Sequence, residues 1–221
     1  MRRTCIGLVT LAWVALAGTR AMALSLVEKN VVDLLRESDA IAVGTIEKVS
    51  DGVDDSGIPY TEVTLKVSES IRGALPDTYT YRQFGLMKPR PTPDGTMLMM
   101  PAPEGFPRYA AGEQVLLFLY PQARRTGLRT TAGLVQGKFT LGPGLAENGT
   151  GNAGLFRNVR LDAGITEESD KRLLATRSGA VNPDDFLRFL RRAVQGRWVE
   201  SGRLESPRTP GVTQAPGRSV R

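Results

Sequence analysis

The chain has 221 residues, 29 of them basic and 23 acidic, with no histidine and a single cysteine, Cys5. The missing histidine excludes Ser-His-Asp and Cys-His catalysis, the commonest base near neutral pH and the usual zinc ligand. The net charge of +6 is uneven: residues 191–221 hold seven arginines and two glutamates, whereas residues 24–190 come to −2, so the clustered basic face of a nucleic-acid-binding domain is not expected.

The N-terminus follows the secretory pattern. Arg2 and Arg3 precede an uncharged run of 14 residues from Cys5 to Gly18, and Ala21-Met22-Ala23 offers small residues at the −3 and −1 positions. A signal peptide over 1–23, cleaved after Ala23, is expected, which places the mature protein in the periplasm or outside the cell. A retained anchor is the competing reading, but the run is short for a bilayer crossing, and no stable membrane span is expected after cleavage. Cys5 leaves with the leader, so the mature chain has no disulfide, thiolate nucleophile or thiolate metal site.

Ser25-Leu26-Val27-Glu28 reads as a capping box, and Val27, Val31, Leu34 and Leu35 recur at helical spacing, so a helix is expected over 26–37. Strands follow at 40–49, where Gly44 suggests a bulge, and at 60–71, where Val63, Leu65 and Val67 alternate with Thr64, Lys66 and Ser68. Residues 50–59 form the polar loop between them. A third strand is expected at 78–84. The segment 85–105 breaks the rhythm with prolines and the run Met97-Leu98-Met99-Met100. The stretch 114–120 contains five consecutive apolar residues and reads as a strand covered on both sides. Three more strands are expected at 128–131, 134–141 and 154–161. Asn148-Gly149-Thr150 matches a glycosylation sequon, although an Asn-Gly turn is favoured.

Asn182-Pro183-Asp184-Asp185 announces a second helix by an N-cap amide, a proline at the first position and acids at the positive end of the dipole. Phe186, Leu187, Phe189, Leu190 and Val194 form its apolar stripe, and Gly196 its stop. From 199 to 221 the chain offers little to bury and reads as a disordered tail. One domain over 24–198 is the economical organisation.

Short strands with an early glycine bulge fit a small closed barrel. The segments SDAIAVGTIEKV (38–49) and YTEVTLKVSESIRG (60–73) resemble the opening of the netrin-like, tissue-inhibitor-of-metalloproteinase-like module, which has an OB-fold. There too an acidic residue precedes an apolar strand, and a long alternating strand ends in a basic residue and glycine. The later GEQVLLFL (112–119) and GLVQGKF (133–139) are similar to segments of exported bacterial proteins with this barrel. The resemblance spans about 38–141 and implies a mainly β fold: a small OB-like β-barrel with an N-terminal helix and a C-terminal helix. Inhibitors of that family chelate a protease zinc through an N-terminal cysteine. Here the mature chain begins at Leu24 and lacks cysteine, so that role does not carry over.

Candidate chemistry is sparse. Glu62, Glu69 and Glu113 could serve a carboxylate-dependent hydrolase or glycan-active enzyme, but they lack a signature spacing and read as charged strand rims. Asp51, Asp54 and Asp55 could gather calcium, but Asp and Gly also simply build loops. The 85–109 loop is the best candidate for recognition of a protein or envelope partner, through Met97, Leu98, Met99, Met100, Phe106 and Tyr109. The competing reading makes Met97 to Met100 the cap of an open barrel end. No cofactor and no nucleic-acid partner are expected, and no feature sets an oligomeric state.

Overall fold

The structure, a computed structural model, describes residues 27–92 and 94–207. The expected leader, the Ser25 cap and residues 208–221 lie outside the described residues. Among the described residues no helix is long and apolar enough to cross a membrane.

Helix α1 (Val31–Glu37) starts later than expected. Its cap is Asn30, whose side chain accepts from the amides of Val32 and Asp33 at 3.0 and 3.1 Å. Asp33 closes the box by accepting from the Asn30 amide. Residues 27–29 cannot be helical because Gln136 holds them: its Oε1 accepts from the Lys29 amide and its Nε2 donates to the Val27 carbonyl. Glu28 therefore pairs with Arg157 and caps nothing. The Asn30 amide group also donates to Ser206 Oγ at 2.6 Å, which joins the two ends of the described body.

Strands β1 (Ala40–Val53) and β2 (Pro59–Arg72) form a longer hairpin than the sequence suggests. The expected loop over 50–59 shrinks to 54–58, because Asp54 Oδ1 accepts from the amides of Ser56 and Ile58 and makes a tight Asx turn. Register shifts break the ladder at three places, one of them between Val43 and Gly44. A Cβ at Gly44 would lie 2.2 Å from the Lys66 carbonyl oxygen, so the close approach admits only glycine.

Strand β3 (Thr78–Phe84) pairs with β2, and β6 (Gln114–Leu119) with β1. Strands β7 (Lys138–Gly142) and β8 (Leu145–Asn148) complete an antiparallel sheet of order β3-β2-β1-β6-β7-β8. A short hairpin of β4 (Arg90–Pro91) and β5 (Met97–Leu98) stands apart from it. The fold is mainly β, as expected. No ladder joins the β3 and β8 edges, so closure of a barrel is not shown by these pairings.

The expected strand at 128–131 is reduced to one bridge between Thr131 and Leu119. Leu134–Gly137 is a 3-10 turn entered through Gly133 at φ +66, and the expected strand at 134–141 begins only at Lys138. The span 154–161 is mostly turns, with the Leu155 amide donating to the Asn152 carbonyl at 3.1 Å and the Arg157 amide to the Gly154 carbonyl at 2.9 Å, and it follows a turn that Asn148 caps. Asn148 Oδ1 accepts from the amides of Thr150 and Asn152, and its Nδ2 donates to the Gln136 carbonyl. The sequon asparagine thus serves as the pin of a turn. Only β9 (Arg160–Leu161) remains of that strand, paired with β10 (Leu204–Glu205).

Two apolar layers lie on opposite faces of the sheet. Val115, Leu117 and Leu119 of β6 join Ala42, Ile46, Val63, Leu65 and Tyr81 in an inner core. Leu116 and Phe118 face the other way, against α1 and α3 (Pro183–Gln195). There Phe139 stacks obliquely between Phe118 and Phe186, at 5.8 and 5.1 Å between ring centres. Helix α3 starts at Asn182 and stops at Gly196 as its sequence dictates. Helix α2 (Glu168–Ala175), which the sequence reading missed, packs against it, and Asp170 is buried where it receives Arg192.

The tail expected from residue 199 instead stays with the body through Pro207. Leu204 is fully buried, and its amide donates to the Trp198 carbonyl at 2.9 Å.

One arginine ties β3 to the end of β6. The Arg129 backbone amide donates to the Arg82 carbonyl of β3 at 2.7 Å, while the Tyr120 amide donates to Thr130. The segment 129–131 is thus bonded to both β3 and the end of β6. The Arg129 side chain donates to the Tyr120 carbonyl and the Tyr79 hydroxyl, each at 2.7 Å, and pairs with Asp39. Its side chain is 7% exposed and that of Asp39 is 47% exposed. Removing the arginine empties a buried position and leaves the part-buried Tyr120 carbonyl and Tyr79 hydroxyl unpaired, whereas the exposed acid can be replaced by water. Arg129→Ala is expected to lower the unfolding free energy by about 2–4 kcal/mol and Asp39→Asn by about 1 kcal/mol or less. Urea denaturation of both variants checks this, and equal losses would refute the asymmetry.

Candidate functional site

The 85–109 segment leaves the sheet as an arm with a fixed root. Gly85 sits at φ +108, and a Cβ there would meet the Ala102 backbone at 2.4 Å. The outgoing and returning chains therefore touch, which only glycine permits. The Gly85 carbonyl accepts from the Thr61 hydroxyl at 2.8 Å, and the Leu86 amide donates to the Met100 carbonyl at 2.8 Å. Leu86 is buried beneath this crossing.

Asp51 on β1 clamps the next residues. Its Oδ2 accepts from the Met87 and Lys88 amides at 2.7 and 3.1 Å, and its Oδ1 meets the Arg90 guanidinium at 2.6 Å. Partial burial alone would raise this carboxyl, but Arg90 and the two amides outweigh it and hold it below the ordinary aspartate value. Beyond the clamp, β4 and β5 pair Arg90 with Leu98 and Pro91 with Met97. Asp94 braces the tip: the Thr92 hydroxyl, with further donation from Thr96, pulls its carboxyl down to about 2.

The six residues singled out in this arm divide. Met97, Met99 and Met100 are 55%, 71% and 38% exposed, and Leu98 is half-buried. These residues do not form a buried cap of the sheet's end. Phe106 is half-buried where the arm returns. Tyr109 turns inward, its ring edge-on to Tyr81 at 6.2 Å between centres and 5.3 Å from Lys138 Nζ. The Tyr109 and Tyr81 hydroxyls are both buried without a hydrogen-bond partner, and burial pushes both phenols up. Tyr109 therefore packs, partly buried, against the inner core rather than lying with the exposed methionines.

The sequence reading passed over Met87, which is 54% exposed beside the clamp. The signal was available by counting. After Met22 the chain has four methionines, and all of them lie in this arm.

A cleft of about 300 Å³ opens at the arm's root, lined by Val49, Thr61, Gln83, Leu86, Pro101 and Tyr109 among others. Gln83 Nε2 donates to the Pro107 carbonyl at 2.9 Å, which anchors the returning chain, and its Oε1 is buried without a partner.

The candidate acids are engaged. Glu62 meets Arg82 at 2.7 Å, and Glu69 takes a two-pronged grip from Arg191, both contacts at 2.7 Å. Glu113 accepts from Lys138 at 2.5 Å and from the Thr140 hydroxyl at 2.7 Å. The Arg191 contact holds Glu69 low. For Glu113, burial acts upward but Lys138 and Thr140 prevail, leaving it below its ordinary value. Asp51 and Asp54 serve the clamp and the Asx turn. Among the described residues no group of three His, Cys, Asp or Glu side chains is placed to hold a metal ion.

No protein-family model, curated protein or solved structure matches this chain.

The clamp has a direction in pH. A carboxyl lowered in the folded state adds stability above its unfolded value of about 4 and loses it as pH falls through the folded value. Protection of the Met87 and Lys88 amides from hydrogen exchange should therefore hold at pH 6 and decline only below about pH 4. Asp51→Asn should expose both amides already at pH 6 and remove the acid step. Unchanged protection in the variant would mean that the arm is held without the clamp.

Proposed function

We propose that this chain is an exported, non-enzymatic binding module that presents the 85–109 arm to a protein or envelope partner. The observation that carries the reading is the exposure of Met87, Met97, Met99 and Met100 on a segment fixed at its root. Methionine is among the residues most often buried. Four exposed together on a pinned hairpin make an apolar surface whose side chains adapt while the backbone stays ordered, which lowers the entropy cost of binding.

The body is a small OB-like barrel of the netrin-like kind. Support comes from the curl of β3-β2-β1-β6 around the inner core and from the 129–131 segment, which is bonded to both β3 and β6. Asp39, the acidic residue before the first strand in the quoted resemblance, pairs with Arg129 of that segment. Export rests on the leader pattern of residues 1–23. A non-enzymatic role is favoured because Glu62, Glu69 and Glu113 are each neutralised by a cation, where a carboxylate enzyme needs two acids facing a shared cleft.

The test is affinity capture from envelope extract with the native protein and a Met97→Ser/Met99→Ser/Met100→Ser variant of equal circular dichroism. A protein retained only by the native bait is the expected result. The same proteins retained equally by both baits would overturn the assignment of the arm.

A further inference from the structure

We infer that the cleft at the root of the arm is a binding site for a small, uncharged aromatic alcohol, a phenol in chemical class. The inference begins with two polar atoms that have no partner. Gln83 is 3% exposed; its Nε2 donates to the Pro107 carbonyl, while its Oε1 accepts from no group. The Tyr109 hydroxyl is likewise buried and unpaired. Native proteins hold few such atoms, because each loses its hydration without gaining a hydrogen bond.

Both residues stand in the wall of the same cleft of about 300 Å³, a volume at the lower end of the range for small-molecule sites. Val49, Leu86, Pro101 and Pro107 add apolar wall. The two unpaired atoms select the guest. A carbonyl oxygen needs a donor, and a tyrosine hydroxyl both donates and accepts. One guest hydroxyl can donate to Gln83 and accept from Tyr109, whereas an N–H group could serve only the first. The Tyr109 ring beside apolar walls suits an aromatic body.

Charge narrows the class further. No carboxylate lines the cleft, so nothing there balances a cation, and the one charged lining residue, Arg108, is exposed and solvated. Both unpaired atoms are closed off in the resting chain, so the guest enters by moving part of the wall. Pro101, Ala102, Pro107 and Tyr109 belong to the returning chain, outside the six-stranded sheet, so their displacement breaks no pairing of that sheet. The guest's hydroxyl then gives Gln83 and Tyr109 the partners they otherwise lack, and binding and the shift favour each other.

The site is separable from the partner surface, since Met97, Met99 and Met100 do not line the cleft.

The experiment titrates p-cresol and toluene into protein carrying ¹⁵N-glutamine and ¹³C-methyl alanine, followed by NMR. The p-cresol is expected to shift the Gln83 side-chain amide and the Ala102 methyl, saturating with a Kd below about 1 mM. Toluene is smaller and more apolar, so a merely apolar cleft would hold it as well or better. It is expected to bind at least about tenfold more weakly. Val49→Phe, which fills the cleft from a half-buried strand position, should abolish the shifts while leaving the circular dichroism unchanged. Toluene binding as tightly as p-cresol, or shifts that persist in a folded Val49→Phe protein, would overturn the site. N-acetyltyrosinamide should bind more weakly than p-cresol. Tighter binding would assign the cleft to a tyrosine side chain of a partner and overturn the free phenol as its guest.

Discussion

Five consecutive apolar residues, Val115–Leu119, set the terms for everything else. A strand alternates its side chains between two faces, so a strand apolar at every position needs cover on both sides. All five residues are fully buried. On one face they pack with Ala42, Ile46, Val63, Leu65 and Tyr81 of the neighbouring strands. The other is covered by helices α1 and α3 and the ring cluster around Phe139. The close approach of β1 to β2 admits only glycine at position 44, and the 129–131 segment bonds to both β3 and the end of β6. Arg129 then satisfies three acceptors at the seam, Tyr120, Tyr79 and Asp39, in a place where unpaired polar groups would be costly.

The elements whose signals are local were legible in the sequence. The third strand falls where alternation and flanking turn residues put it, and α3 obeys its cap, its proline and its glycine stop. What failed did so through distant partners. No local rule announces that Gln136, 107 positions away from Lys29, holds residues 27–29 out of the helix. Strand β8 hid between glycines, a proline and an Asn-Gly pair, all of them turn signals. Leu204 looked like one apolar residue in a polar tail, and its value appears only when Trp198 and Leu161 are beside it. Of the candidate site, the arm was legible as a break in rhythm. The inward turn of Tyr109 and the clamp by Asp51 depend on contacts 28 and 36 positions away in sequence, with Tyr81 and Met87, and were not.

The arm shows how a loop can be ordered yet accessible. Its backbone is tied at the root by Gly85, Thr61 and Asp51 and at the tip by Asp94, while its methionine side chains remain outside. Backbone order and side-chain softness are thus supplied by different residues. A surface made this way keeps its backbone in place while its side chains adapt, a combination that a loop of glycine and serine could not offer.

The contact between Asn30 and Ser206 spans 176 positions. The cap of α1 thus lacks one of its partners until nearly all of the described residues are present. A chain emerging N-terminus first, from a ribosome or through a pore, reaches its final arrangement only when residue 206 has arrived, so completion waits on the last segment. The same contact brings both ends of the body to one patch of surface. A tether at either end would fix the molecule at nearly the same point, and joining the ends there would require only a short link.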